Sequence, residues 1–214
     1  MATSILTRPS AAAIKHSLVF RAARNLSESI GAKPNIYLIG LSGTGKTRSG
    51  RRVAELLGWP FVEMDGVIED RAVKPIPKIF EENGENFFRD LESQILEEVA
   101  ERGGRVVSTG GGVPLRQNNL DVMRASGLIV RLSASPEVIH QRLVSSAPQR
   151  GRTLRPLLGE DAPIEKIRDM LTERENAYSA ANVTVDTERK SHDQVAEAIA
   201  DAWTSSGMAE TDSE

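Results

Sequence analysis

The sequence contains no cysteine, and its only three histidines, His16, His140 and His192, lie far apart along 214 residues. Lacking thiols, the chain has no disulfide scaffold, no thiolate zinc site and no cysteine nucleophile. The scattered histidines argue against a histidine-built metal centre. Long apolar runs are also missing: the longest stretches, such as IYLIGL at 36–41, fall far short of the ~20 residues of a membrane span. Neither charge sign dominates, with 27 basic against 30 acidic residues, a net charge of −3 and a pI of about 5.8. No global basic field therefore exists to hold nucleic acid. What is present is an ordinary globular balance, 39% hydrophobic and 27% charged. At about 150 residues per domain the length fits one domain with some additional tail or lid. The expectation is a cytoplasmic monomer that handles a small molecule, with no nucleic-acid or membrane partner. Its chemistry must come from carboxylates, hydroxyls, basic side chains and backbone.

Three zones are legible. Residues 1–34 are acid-poor up to Glu28, and Ile14, Leu18, Ala22, Leu26 and Ile30 recur every fourth residue. That stripe suits an amphipathic helix, read as a helical extension or, alternatively, as a transit peptide for a plastid or other organelle. Residues 204–214 are expected to be a disordered acidic tail. Between them, apolar strands at 35–40, 60–64, 105–109, 127–132 and 182–186 alternate with helices at 46–58, 65–72, 76–84, 86–103, 135–144, 163–178 and 191–203. Short apolar strands separated by helices predict an α/β fold, a five-stranded parallel sheet with helices on both faces. Ligands of such sheets bind beyond the carboxyl ends of the strands.

After the first strand stands GLSGTGKT, Gly40 to Thr47. This is the phosphate-loop pattern in its required setting, strand before and helix after. Glycines let successive N–H groups curl around an anion, and the helix N-terminus adds its dipole. Lys46 is placed to reach the β- and γ-phosphates, and Thr47 to ligate Mg²⁺. A nucleoside triphosphate and Mg²⁺ are implied. No N-K-x-D run reads guanine, and no apolar strand ends in the Asp-Glu pair of a motor ATPase. A small chain with a long basic segment at 142–160 points to a small-molecule or nucleotide kinase.

The second strand runs into FVEMDGVIE (61–69), where Glu63 and Asp65 lie two apart. On an extended segment both carboxylates point the same way. One would hold the metal through water and the other accept a hydroxyl proton. Arg89 opens a helix in which Glu85 and Glu92 are its i−4 and i+3 neighbours, so an intrahelical pair competes with an anion-binding role. Three glycines, Gly110 to Gly112, follow the third strand and allow close approach of a ligand. Arg152 and Arg155 sit in a basic loop. Arg174 shares a helical face with Ile167, Leu171 and Tyr178, either snorkelling or facing an anion.

Taken in order, GLSGTGKT (40–47), F-x-E-x-D-x-x-I-E (61–69), I-x-x-I-F…G-E-x-x-F-R-x-x-E (76–92), TGGG (109–112), RPLL (155–158) and R-x-x-x-Y (174–178) resemble the shikimate kinase family over residues 35–203. The resemblance implies a three-layer α/β/α P-loop fold with a mobile lid at about 145–162. It implies transfer of the γ-phosphoryl of ATP to the 3-hydroxyl of shikimate. Asp65 would hold the acceptor hydroxyls and act as base, with Lys46 and Arg155 the other catalytic groups. Arg89 and Arg174 would clamp the shikimate carboxylate, Gly110, Gly111 and Gly112 would lie against the ring, and Glu92 would orient Arg89. The nucleotide would be held by Gly43, Thr44, Gly45, Lys46, Thr47, Arg48 and Arg155, with Arg189 or Lys190 beside adenine; Thr47 and Glu63 would serve the metal. Three departures stand out: Glu63 replaces a usual Asp, Val73 a frequent Gly, and Asn176 a frequent Pro. Extra lid residues leave Arg142 and Arg150 both open as the adenine-side arginine. A gluconate- or nucleotide-type kinase, or a non-catalytic nucleotide-binding relative, are the competing readings.

Overall fold

The computed structural model describes residues 33–150 and 163–208, without side chains at 146–150. Its elements are β1 (Asn35–Ile39), α1 (Lys46–Leu57), β2 (Phe61–Glu63), α2 (Met64–Ala72), α3 (Ile76–Arg102), β3 (Val106–Ser108), α4 (Gln117–Ser126), β4 (Gly127–Ser133), α5 (Pro136–Arg150), α6 (Ile164–Tyr178), β5 (Val183–Asp186) and α7 (His192–Ser205). The five strands form one sheet in the order β2-β3-β1-β4-β5, and every pairing is parallel. Parallel pairing puts all five carboxyl ends on one edge, where the glycine-rich and charged loops of the sequence collect.

The period-two alternation of a strand sends neighbouring residues to opposite faces, and β1 shows it in every residue. Tyr37 and Ile39 enter one core with Met64, Ile68, Phe88, Leu91, Ile95 and Leu96 from α2 and α3 and Tyr178 from α6. Ile36 and Leu38 enter the other, against Val53 of α1 and Val195, Ile199 and Trp203 of α7. Each such side chain contributes about 1.5–3 kcal/mol by leaving water. A third cluster, Leu41, Ile139, Leu143, Ile167 and Met170, seats α5 and α6 beneath the phosphate loop. The α/β class, the five parallel strands and the helices on both faces agree with the sequence reading.

Three details differ. A short 3-10 turn at Val113–Leu115 and helix α4 link β3 to β4, where no element was expected; Gln117, Asn118 and Asn119 at its start hide it from a propensity reading. The expected break between 76–84 and 86–103 is present within α3, at Gly84, whose φ of 81° and ψ of 169° are not helical. Helix α5 runs on to Arg150, into the segment assigned to the lid. Helix α7 continues through Ser205, and Met208 packs on the second core, so the expected tail cannot begin at 204. The expectations for residues 1–32, for the lid from 151 to 162 including Arg152 and Arg155, and for residues 209–214 lie outside the described residues.

Candidate active site

The phosphate loop is shaped by glycine. Gly43 and Gly45 hold φ of 85° and 96°, left-handed values that a side chain disfavours, and Gly45 caps the N-terminus of α1. Thr44 ties the loop by donating to the Leu41 carbonyl at 2.8 Å. Lys46 is buried, and its Nζ donates to the carbonyls of Gly40 at 2.7 Å and Leu41 at 3.0 Å. Thr47 Oγ1 donates to Glu63 Oε1 at 2.8 Å.

The two carboxylates after β2 part company. The strand stops at Glu63, and Asp65 is already in the first turn of α2, so the extended geometry expected for the pair does not apply. Glu63 turns to Thr47. Asp65 turns to Gly110, where an added methyl would lie 3.1 Å from its Oδ1. Both still sit at the carboxyl edge of the sheet.

Gly110, Gly111 and Gly112 are small for the sake of side chains that crowd them. A methyl on Gly110 would overlap Glu92 Oε1; one on Gly111 would lie 3.3 Å from Arg174 Nη1; one on Gly112 would lie 2.6 Å from Arg89 Cζ. None of the three has a positive φ, so packing rather than backbone conformation demands glycine here. Arg174 Nη1 donates to the Gly111 carbonyl at 3.1 Å, and the Tyr178 hydroxyl donates to the same oxygen at 2.8 Å. Helix α6 is held in that register by a bidentate pair from Arg131 of β4 to Glu175, both contacts at 2.7 Å.

Arg89 makes both intrahelical pairs that its spacing allows: Nη1 donates to Glu92 Oε2 at 2.6 Å, and Nη2 to Glu85 Oε1 at 3.0 Å. Glu92 is 1% exposed. Burial pushes its carboxyl up, Arg89 pulls it down, nearby Asp65 pushes it up again, and the balance stands at about 7. Burial disfavours the Arg89 charge, but Glu92 and Glu85 outweigh it and hold its pKa above the ordinary value. The paired guanidinium lies against Gly112.

On the nucleotide side, Arg142 of α5 donates to the Thr187 carbonyl at 2.6 Å and hydroxyl at 2.9 Å, and to the Gly43 carbonyl at 3.4 Å. Of the two adenine-side candidates, Arg142 thus lies against the phosphate loop; the side chain of Arg150 is outside the described set. Arg48, Arg189 and Lys190 are exposed. Arg155 lies outside the described residues. Sequence reasoning passed over Thr187, which meets Arg142 through a tertiary contact that no spacing along the chain announces.

A phosphate loop at the carboxyl edge of a parallel sheet, with two buried arginines and a carboxylate gathered at three consecutive glycines on the same edge, is the layout of a P-loop phosphotransferase. Residues 42–204 match the family model for shikimate kinase. The shikimate kinase of Sulfurihydrogenibium sp. (strain YO3AOP1) is 39% identical over 165 residues, covering 77% of this chain and 95% of that protein. That of Parasynechococcus marenigrum (strain WH8102) is 42% identical over 164 residues, covering 77% and 82%. The solved shikimate kinase from Acinetobacter baumannii in complex with shikimate superposes with a TM-score of 0.74 at 35% identity, over 84% of this chain and 98% of that one. This chain belongs to the shikimate kinase family, whose members are ATP-dependent kinases.

Proposed function

We propose that this enzyme transfers the γ-phosphoryl of ATP to the 3-hydroxyl of shikimate, acting as a monomer. The observation that carries the reading is the convergence of Arg89 and Arg174 on consecutive glycines, Gly112 and Gly111, with Asp65 one residue further on at Gly110. Two guanidiniums at one end match a carboxylate, which they bind with planar, paired donors. A carboxylate at the other end matches hydroxyls. Gluconate also carries a carboxylate and hydroxyls, but it is a flexible open chain, whereas a ring holds those groups in the fixed relation that matches side chains fixed at Gly110 to Gly112.

The residues then divide the work. The backbone of Gly43 to Lys46 and the α1 N-terminus hold the ATP phosphates. Lys46, tethered to Gly40 and Leu41 in the structure, exchanges a carbonyl for phosphate oxygen and stabilises charge as it moves to the bridging oxygen. Asp65 orients the acceptor hydroxyl and takes its proton. Arg89 and Arg174 fix the acceptor so that this hydroxyl meets the γ-phosphorus in line, with Glu92 orienting Arg89. Thr47 and Glu63 offer a hydroxyl and a carboxylate, the hard oxygen donors that suit Mg²⁺; when bound, the ion neutralises charge on the β- and γ-phosphates. Arg142 borders the adenine side, with Arg48, Arg189 and Lys190 around it, and Arg155 would close from the lid onto the phosphates. No described helix is long and apolar enough to cross a membrane; a cytoplasmic location is our reading, with an organelle the alternative if residues 1–34 are a transit peptide.

The test is a coupled ADP-release assay with ATP, Mg²⁺ and shikimate, gluconate or a nucleoside monophosphate. Turnover with shikimate alone is expected. Faster turnover with gluconate would overturn the substrate assignment, and no turnover with any would favour a non-catalytic nucleotide binder.

A further inference from the structure

One ionisable side chain at the phosphate loop has no part in the scheme above. His192 opens α7, on the far side of the loop from the acceptor cleft. A methyl on Gly45 would lie 3.9 Å from its Cε1, so the ring borders the residue that caps α1. Its Nδ1 lies 3.3 Å from Ser49 Oγ, and Ser49 is buried one turn into α1. Arg142 completes this side of the loop, joining Gly43 to Thr187. The loop that receives the triphosphate is thus gripped from behind by α5 and α7.

We propose that His192 is a positioning residue for the nucleotide, holding the phosphate loop and the start of α1 through Gly45 and Ser49. The proposal rests on the phosphate-loop reading of the preceding subsection.

A neutral imidazole suits this place. The ring sits at a helix N-terminus, where the α7 dipole disfavours a cation. Partial desolvation, then Arg48 from α1 and Arg142 from α5, hold its pKa below the ordinary histidine value; Asp193 works in the opposite direction. Asp193 is itself paired with Arg52 of α1, which leaves the balance cationic. In the neutral tautomer that carries its proton on Nε2, Nδ1 accepts from the Ser49 hydroxyl. When polyphosphate enters the loop, its negative charge arrives beside the same ring and favours the imidazolium. Nucleotide binding should therefore raise the His192 pKa, and by reciprocity protonation of His192 should tighten nucleotide. A residue that merely packed α7 against α1 would show neither effect.

The experiment follows the three imidazoles of the full chain by NMR from pH 8 to pH 5, without ligand and with ADP and Mg²⁺. His192→Asn assigns the signal, since it removes one of three. In the free protein the His192 signal is expected to titrate below the usual histidine range. With ADP and Mg²⁺ its midpoint should rise by about one pH unit. Kinetics supply the second readout. His192→Ala, which loses the acceptor for Ser49, should raise KM for ATP about fivefold while KM for shikimate stays in place. His192→Asn keeps an acceptor oxygen and should restore most of that loss at pH 8. It should also lack the additional tightening of ATP that the unsubstituted enzyme shows at pH 6. If ADP binds yet the His192 midpoint does not move, or if His192→Ala leaves KM for ATP unchanged, the proposal is wrong. If ADP does not bind at all, the phosphate-loop reading fails, and the proposal falls with it.

Discussion

Replacing Glu92 by Gln should move stability and activity in opposite directions. Glu92 is almost wholly buried, and its carboxyl titrates near 7 instead of its ordinary 4.5. A group whose acid form is favoured in the folded protein binds more protons folded than unfolded between those values. Its contribution is fully present below about 4.5 and is lost as pH rises towards 7. At about 1.4 kcal/mol per pH unit, the raised pKa of Glu92 costs the folded chain on the order of 3 kcal/mol by pH 8 and on the order of 1 kcal/mol at pH 5.5. Gln keeps the shape and one hydrogen bond to Arg89 but never ionises. Chemical denaturation at the two pH values should find Glu92→Gln more favourable relative to the unsubstituted protein at pH 8 than at pH 5.5, by about 2 kcal/mol. Comparing two pH values cancels the fixed effects of the amide. Arg89 meanwhile loses a charged partner at 2.6 Å and turns towards Glu85, so KM for shikimate should rise about tenfold. A stability difference that is the same at both pH values, or larger at pH 5.5, would refute the reasoning; Glu92 would then be ionised throughout, with the attraction of Arg89 exceeding the effect of burial.

Arg174→Ala should weaken shikimate use by roughly 30-fold or more, because a desolvated carboxylate left half paired costs about 2–5 kcal/mol; steady-state kinetics should show ATP use unaffected. Gly112→Ala places a methyl on the Arg89 guanidinium, and its loss of shikimate affinity should equal or exceed that of Arg174→Ala, measured by the same assay. Asp65→Asn should lose about 10²–10⁴ in turnover as the proton acceptor disappears, while Glu63→Asp, which shortens one arm on Thr47, should stay within about tenfold across a Mg²⁺ titration. Val73 holds φ of 52° at the end of α2 and is 88% exposed, a left-handed β-branched residue with little packing to lose. Val73→Gly should raise stability by about 1 kcal/mol, a shift of about 2–4 °C in Tm; a lower Tm would show that the chain tolerates Val73 without strain.

Local chemistry made much of this molecule legible from the sequence. The phosphate loop could be read because its function is carried by backbone conformation, and glycines at 40, 43 and 45 with Lys46 and Thr47 specify that conformation within eight residues. Short apolar strands alternating with amphipathic helices led to a parallel sheet for the same reason: a strand buried on both faces has to be apolar throughout. Helix α4 escaped because QNN at its start resembles a loop, and only burial of Leu120, Val122 and Met123 makes it a helix. The geometry of Asp65 was misjudged because two residues beyond a strand read the same whether the chain stays extended or turns into α2. Periodicity could not choose between solvent and cleft for Arg174, nor between an intrahelical pair and a clamp for Arg89. The tertiary structure buries Arg174 against Gly111 and holds Arg89, in both of its intrahelical pairs, beside Gly112, by laying α3 and α6 against successive glycines of one loop. It also set the ionisation of Glu92 and the setting of His192, since a pKa depends on burial and on charges from other segments. Residue types and short spacings were determined along the chain; which groups meet, and in what charge state, was decided only when the sheet brought five loops to one edge.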